Sequence, residues 1–238
     1  MDIVARRVAL DDFYALLAEL EGKIGGKRVL ENCSGRMEWP HRGVYFFFEE
    51  GEYREDGKTL RVVRVGTHAL GPSKSTLWGR LSQHRGVDGG STPGGGNHRG
   101  SVFRRHVGAA LLSNQDWPEP LRHSWGHGNT ADRLVRAQEY PLELEVSKRI
   151  RQMPFLWLDV ADAPTTASDR GVIEAGAIRL LTNFGRELVD PASPVWLGRN
   201  SDRSSIAQSG MWNVNHVGED ASDHFLEPMK RRLEHLDH

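Results

Sequence analysis

Four side chains in this 238-residue sequence have types and spacings suited to chemistry on a phosphate group and a water. Arg80 and His84 are four residues apart, so on a helix they project from one side. A guanidinium stays charged and offers phosphate oxygens a rigid fork of donors, while an imidazole can hold or deprotonate a water. Tyr45 adds a phenol from an aromatic segment, and Glu174 adds a carboxylate much further along.

The elements that must position these side chains follow from hydrophobic spacing. Gly43 to Phe48 and Thr59 to Val65 are rich in aromatic and β-branched residues and predict two strands of an antiparallel hairpin. Thr76 to His84 has helical spacing, Phe155 to Val160 predicts a third strand, and Arg170 to Phe184 predicts a second helix. The predicted core order is therefore β-β-α-β-α.

Further helices and one irregular segment surround this core. The glycine-rich run from Gly86 to Gly100 predicts a loop. Apolar spacing predicts additional helices over Asp11 to Ile24, over Ser101 to Leu112 with Arg104 and Arg105 toward solvent, from about Pro141 onward, and over Phe225 to Leu236.

The order and its residues resemble the GIY-YIG nuclease superfamily, in a stand-alone, restriction-endonuclease-like form. Gly43-Val44-Tyr45 resembles the first motif and Arg64-Val65-Gly66 the second. The resemblance implies an α/β (α+β) fold with a small sheet of about three strands flanked by helices. It places the nuclease core at 42–184, with a basic glycine-rich insertion at about 86–153. An N-terminal helical extension at 1–41 and a C-terminal extension at 185–238, a candidate substrate-binding element, complete the chain.

The resemblance also implies roles for the four side chains. Tyr45 and His84 would activate the attacking water, and Arg80 would stabilise charge on the phosphate. A free phenol, with a pKa of about 10, is a weak base at neutral pH, so this scheme needs a polarising partner. The simpler alternatives are that Tyr45 fills the aromatic strand and that Arg80 and His84 lie on a solvated helix face.

Glu174 falls among apolar residues on a helical wheel, where an unpaired charge is costly. The resemblance implies that Glu174 binds Mg²⁺ or Mn²⁺, which would steady the leaving oxygen. An ion pair with Arg170 or Arg179, or favourable placement near the helix N-terminus, is the alternative.

Two positions depart from the family pattern. Arg64 stands where the second motif has tyrosine, so the hydrogen bonds of that phenol must come from Arg64, His68 or another group. The family also carries an asparagine after its glutamate, and we assign this position to Asn183. Three other asparagines are available, namely Asn200, Asn213 and Asn215.

A net charge of −1 argues against a protein that coats nucleic acid through bulk electrostatics. A local basic patch is predicted instead between Arg80 and His106, where Asp88 is the single acid. The alternative is a solvated basic loop. The residues expected to contact phosphates are Arg85, His98, Arg99, Arg104 and Arg105.

Other features bound the class of protein. The sequence predicts a cytoplasmic protein, because no apolar run reaches the roughly 18 to 20 residues of a membrane span and no leader is evident. Cys33 is alone and the histidine spacings match no zinc pattern, so we expect no structural zinc. DNA is the expected partner, and RNA is not excluded. A duplex cutter often needs two active sites, which is compatible with a homodimer.

The resulting expectation is a metal-dependent DNA endonuclease, a phosphodiester hydrolase. We expect a restriction or defence role, since no helix-hairpin-helix module or long coiled segment accompanies the core. Two alternatives stay open. One is a non-catalytic nucleic-acid-binding module with the same fold, which Arg64 favours. The other is an RNA-directed nuclease, because the phosphate chemistry is shared.

Overall fold

The computed structural model describes residues 1–237 and has a mixed α/β fold. Within this part of the chain, eight α-helices surround one four-stranded sheet. The strands are β1 (Arg28–Val29), β2 (Gly43–Tyr53), β3 (Leu60–Gly66) and β4 (Pro154–Asp159). The helices are α1 (Ile3–Lys23), α2 (Leu77–Arg85), α3 (Val102–Asn114), α4 (Glu119–Ser124), α5 (Arg133–Gln152), α6 (Asp169–Leu181), α7 (Ser204–Ser209) and α8 (Leu226–Glu234).

The sheet confirms the predicted core order and adds one strand. The spatial order is β1-β4-β2-β3, and every neighbouring pair is antiparallel. The predicted β-β-α-β-α order corresponds to β2, β3, α2, β4 and α6. The extra strand, β1, places Arg28 opposite Phe155. A two-residue strand has too little pattern to be found from sequence, so the expected sheet of three strands has four.

Both faces of the sheet are buried, because alternate residues of β2 point into different cores. Val44, Phe46 and Phe48 pack in a core formed with α1, α6 and α8. Tyr45 and Phe47 pack on the opposite face with α2, α3 and α5. Burial on both sides explains why this strand lacks the polar alternation of a half-exposed strand.

A β-bulge in β3 decides which face Arg64 occupies. Phe47 pairs with Arg64, but its neighbour Phe48 pairs with Val62, so Val63 is an extra residue in β3. Phe48 and Val62 lie in one core, whereas Phe47 and Val63 lie in the other. The bulge therefore leaves Arg64 on the same face as Phe47.

Acidic residues continue β2 beyond its predicted end because they have buried partners. Glu49 accepts hydrogen bonds from the indole nitrogens of Trp196 at 3.0 Å and Trp212 at 3.3 Å. Glu52 pairs with Arg61 of β3 at 2.9 Å. These contacts hold the segment around α7 against the sheet.

The segment between α2 and β4 begins with the predicted glycine-rich loop, continues with α3, α4 and α5, and is anchored by a buried ion pair. Arg104 on α3 is fully buried and donates Nε–H to Glu143 Oε2 on α5 at 3.0 Å. Arg104 also donates to Ser147 Oγ and to the His84 carbonyl, each at 2.9 Å. The prediction that Arg104 faces solvent is wrong, because a carboxylate from a distant part of the sequence pairs with it.

Several helices differ from the sequence predictions in their limits. α5 begins at Arg133, where the Asp132 side chain caps it, and Pro141 lies inside the helix rather than at its start. α1 begins at Ile3 rather than near Asp11. Among residues 1–237, no helix is both long and apolar enough to cross a membrane.

The buried pair generates a stability prediction. Arg104→Met leaves the Glu143 carboxylate buried without its cation, so we expect the free energy of unfolding to fall by about 3–5 kcal/mol. Arg105→Met on the same helix is the matched control, since Arg105 is exposed, and should change stability by no more than about 0.5 kcal/mol. Urea unfolding followed by tryptophan fluorescence measures both. Equal stability of the two variants would contradict the role given to the pair.

Candidate active site

The sheet and α2 bring Tyr45 and His84 into contact. Tyr45 Oη lies 2.8 Å from His84 Nε2, and both side chains are fully buried. Burial, reinforced by the charges of Arg80, Arg64 and Arg104, holds the pKa of His84 well below its ordinary value. The imidazole is therefore neutral at pH 7.

Ser101 engages the second ring nitrogen of His84. Ser101 Oγ lies 2.7 Å from His84 Nδ1 and accepts the backbone N–H of Arg104 at 3.2 Å. A neutral imidazole has one N–H and one acceptor nitrogen, so His84 donates to one of its two hydroxyl partners, Tyr45 or Ser101, and accepts from the other. Because both ring nitrogens are engaged, His84 can act on a water only through Tyr45.

Gly66 of the second motif lies against the ring of Tyr45. The two residues pair across β2 and β3. A Cβ added at Gly66 would lie 2.3 Å from Tyr45 Oη and 2.5 Å from Cζ, closer than real Cβ contacts allow. Glycine is therefore required for the phenol to occupy this position.

Glu174 on α6 meets the sheet where β3 ends. Its Oε1 accepts the backbone N–H of Thr67 at 3.1 Å. Thr67 in turn donates its hydroxyl to the Gly43 carbonyl at 2.8 Å. Thr67, which follows β3, therefore links the Glu174 carboxylate to Gly43 at the start of β2.

The arginines that the sequence offered as ion-pair partners of Glu174 are engaged elsewhere. Arg170 pairs with Asp162, and Arg179 pairs with Glu219. Glu174 itself forms no ion pair with any residue from 1 to 237. The ion-pair alternative for this half-buried carboxylate is therefore wrong.

The surroundings of Glu174 fit a hard divalent cation. Burial raises the pKa of this carboxyl group, against the opposing effect of the Arg64 charge and the Thr67 N–H. Glu174 also borders a cavity of about 370 Å³ that has room for water. Mg²⁺ commonly binds one or two carboxylates and keeps several waters. Residues 1–237 contain no group of three or more metal-binding side chains, so a cage of protein ligands does not fit.

Arg64 and Arg80 connect the carboxylate to the Tyr45–His84 pair electrostatically. The charge of each arginine acts on both His84 and Glu174. Arg80 on α2 is partly exposed and donates to the Gly100 carbonyl at 3.2 Å. The predicted helix pair thus divides into a buried histidine and a more accessible arginine.

Arg64 has an incompletely satisfied guanidinium. Its Nη1 donates to the Trp212 carbonyl at 2.7 Å, and its Cζ lies 5.3 Å from the centre of the Phe103 ring. Its Nε is buried and has no hydrogen-bond partner among the described residues. A buried guanidinium with an unused donor is suited to an anionic ligand.

His68 lies just beyond β3 but does not replace the missing phenol by contact with Tyr45. Its Nδ1 lies 3.2 Å from Ser75 Oγ, and its Nε2 is buried without a partner in the described part of the chain. Burial and the charge of Arg170 lower the pKa of His68 to about 4. It is therefore neutral at pH 7.

Asn183, the asparagine assigned by sequence, and Asn213 lie in different surroundings. Asn183 Oδ1 accepts from Arg6 Nη2 and from the Val189 N–H, each at 3.0 Å, so Asn183 is held in structural contacts. Asn213 instead bonds the backbone of Val65 in the second motif, accepting its N–H at 3.1 Å and donating to its carbonyl at 2.9 Å. Sequence spacing gave no signal that separates the two.

The side chains of two more residues in the predicted basic patch are buried and pair with carboxylates of α5. Arg99 forms a two-point ion pair with Glu139, at 2.6 and 2.8 Å. His98 is buried, with Nδ1 3.0 Å from Glu143 Oε1. This placement contradicts the prediction that His98 and Arg99 contact phosphates.

Arg85 and Arg105 are the other two residues expected to contact phosphates, and they differ in accessibility. Arg85 donates Nε–H to the Leu30 carbonyl at 2.8 Å and pairs with Asp88. Arg105 is exposed and forms no ion pair within residues 1–237. Arg105 is therefore the member of the set best placed to meet a ligand from solvent.

The contact between Gly66 and Tyr45 can be tested by one added carbon. Gly66→Ala forces the buried phenol to move, so we expect the free energy of unfolding to fall by about 1–3 kcal/mol. Gly71→Ala is the control, because a Cβ there meets nothing within 4 Å. Thermal unfolding compares the two variants, and an unchanged midpoint for Gly66→Ala would show that Tyr45 is not held as described.

Comparison with known proteins agrees with this geometry. No curated protein and no solved structure gives a significant match. A family model described as GIY-YIG domain matches residues 4–238, which include both motif strands, α2 and α6. The chain therefore belongs to the GIY-YIG family, a family of endonucleases.

Proposed function

We propose that this protein is a metal-dependent endonuclease that hydrolyses phosphodiester bonds in DNA. The observation that carries the proposal is a convergence of side chains from β2, α2 and α6 that suit this reaction. Its members are Tyr45, His84, Arg80 and Glu174. Phosphodiester hydrolysis needs a base for water and positive charge for the phosphate, and this set can supply both.

Tyr45 is the proposed base, and His84 is its positioning residue. Tyr45 would act as the phenolate, after its own proton has been released to solvent, because a neutral phenol is not a base for a second proton. With the His84 proton on Nε2, the hydrogen bond from Nε2 to Tyr45 Oη would stabilise this phenolate, which then takes a proton from the attacking water. His84 is unsuited to hold the proton itself, because burial and neighbouring cations lower its pKa. General-base catalysis of this kind contributes a factor of about 10²–10⁴ in rate.

Arg80 and Glu174 complete the proposed site. Arg80 has unused donors toward solvent and would bind the oxygens of the scissile phosphate. Glu174 would hold Mg²⁺ or Mn²⁺ through its carboxylate, which forms no ion pair within residues 1–237. When bound there, a divalent cation supplies Lewis-acid stabilisation of charge on the reacting oxygens.

A non-catalytic nucleic-acid-binding module is the second candidate, and two observations favour it. Tyr45 has no exposed surface, so a water reaches its hydroxyl only after neighbouring groups move. Arg64 stands in place of the second motif tyrosine, which removes one phenol from the site. Both features are compatible with binding alone.

Cleavage assays separate these functions. We expect the wild type to cut plasmid or single-stranded DNA with Mg²⁺ or Mn²⁺ and not with EDTA. Glu174→Gln and Arg80→Ala should each lower the cleavage rate by at least about 100-fold, since each removes charge stabilisation from the reaction. Arg231→Ala is the control, because Arg231 is exposed and lies on α8, away from the two strands that carry the motifs.

A second readout tests the metal site without cleavage. Mg²⁺ should raise the unfolding temperature of the wild type and of Arg231→Ala, but not that of Glu174→Gln. Cleavage that persists in EDTA, or in Glu174→Gln, would contradict metal-dependent catalysis.

A folded wild type that binds nucleic acid and cuts neither DNA nor RNA would support the binding module. Cleavage of RNA alone would support an RNA-directed nuclease.

We extend the proposal to a restriction or defence role, which the same assay addresses. Discrete fragments from plasmid DNA would support it, because such a role needs a selected sequence. A continuous ladder from every substrate would contradict it.

A further inference from the structure

A group of basic side chains beside the Tyr45–His84 pair has no carboxylate partner within residues 1–237. Its members come from β3, α3 and the residue before α7: Arg64, Arg105, His106 and Arg203. The charges of all three arginines act on His106, which is buried. Burial first, and then these charges, lower the pKa of His106 to about 4, so the imidazole is neutral.

Packing places this group next to the proposed catalytic centre. The Phe103 ring lies 5.5 Å from the His84 ring on one side and 5.3 Å from Arg64 Cζ on another. His106 is one helical turn beyond Phe103 on α3, so the two project from the same side of the helix. α3 also packs on the turn Leu197–Asn200, which leads directly to Arg203.

Several polar atoms of this group have no hydrogen-bond or ion-pair partner among the described residues. Arg64 Nε is a buried donor without an acceptor in the described chain. The His106 side chain has no hydrogen bond to any of residues 1–237. Arg105 and Arg203 are exposed and form no ion pair there. The unused donor of the buried Arg64 guanidinium is costly unless an acceptor binds, whereas the exposed Arg105 and Arg203 are solvated and can turn toward an anion.

We propose that Arg64, His106 and Arg203 form a second phosphate site, with Arg105 at its rim. This site would bind a backbone phosphate that neighbours the one cut on the same nucleic-acid strand. The inference rests on the proposed nucleic-acid substrate, but it does not require that the strand be cut. Arg64 Nε and one nitrogen of His106 would donate to the phosphate oxygens, and Arg203 would close the site from solvent.

The salt dependence of binding tests this site directly. In a Glu174→Gln background, fluorescence anisotropy gives the dissociation constant of a labelled DNA duplex and of its single strand over a range of KCl concentrations. Adding Arg203→Gln or Arg105→Gln should reduce the slope of log affinity against log salt by about 0.9 for the duplex or about 0.7 for the single strand. Both arginines are exposed, so both variants should fold, which thermal unfolding checks.

Two controls separate a phosphate contact from other effects. Arg203→Lys should keep the slope of the parent, because it keeps the positive charge. Arg231→Gln on α8 should also leave the slope unchanged. Parental slopes in both Arg203→Gln and Arg105→Gln would overturn the second site, even if the wild type cleaves DNA. Reduced slopes would support the site even if the wild type cleaves nothing, and a parent that binds neither DNA would overturn it.

Discussion

The hydrogen bond between Tyr45 and His84 is the contact on which the rest of this site depends. Gly66 leaves space for the phenol, and Ser101 holds the second ring nitrogen of the imidazole. The insertion between α2 and β4 supports the same pair, because Arg104 binds the His84 carbonyl while it is paired with a carboxylate of α5. The insertion that the sequence marks as basic and glycine-rich therefore includes the support of the proposed catalytic helix.

Two arginines, Arg64 and Arg80, act electrostatically on both His84 and Glu174. Burial lowers the pKa of His84, and the charges of Arg80 and Arg64 lower it further. The raised pKa of Glu174 means that the folded state binds this proton more tightly than the unfolded state does. Ionisation of Glu174 therefore lowers stability as pH rises above the ordinary range of a glutamate, and a bound cation would offset that loss. Arg64 places a cation where the family pattern has a neutral phenol, and the proposed second phosphate site uses this charge.

Sequence patterns predicted the core elements because β2 begins with a continuous run of aromatic and β-branched residues and the apolar residues of α6 repeat at helical spacing. They failed where a contact joins distant segments. Arg104 looked solvent-exposed, since Glu143 lies 39 residues away in sequence. The same reason applies to Asn213, whose bond to Val65 spans 148 residues, and to the bulge at Val63, which depends on pairing with β2. Local charge and spacing contain no information on such pairings.

The central claim is that Tyr45 and His84 act as one unit, and a double-mutant cycle on single-turnover DNA cleavage tests it most directly. The variants are Tyr45→Phe, His84→Gln and the combination, each checked for folding by circular dichroism. Each single variant should lose a factor of about 10²–10⁴ in rate, and the double variant should lose little more than the worse of the two. Losses that multiply in the double variant, or wild-type cleavage by His84→Gln, would contradict the account.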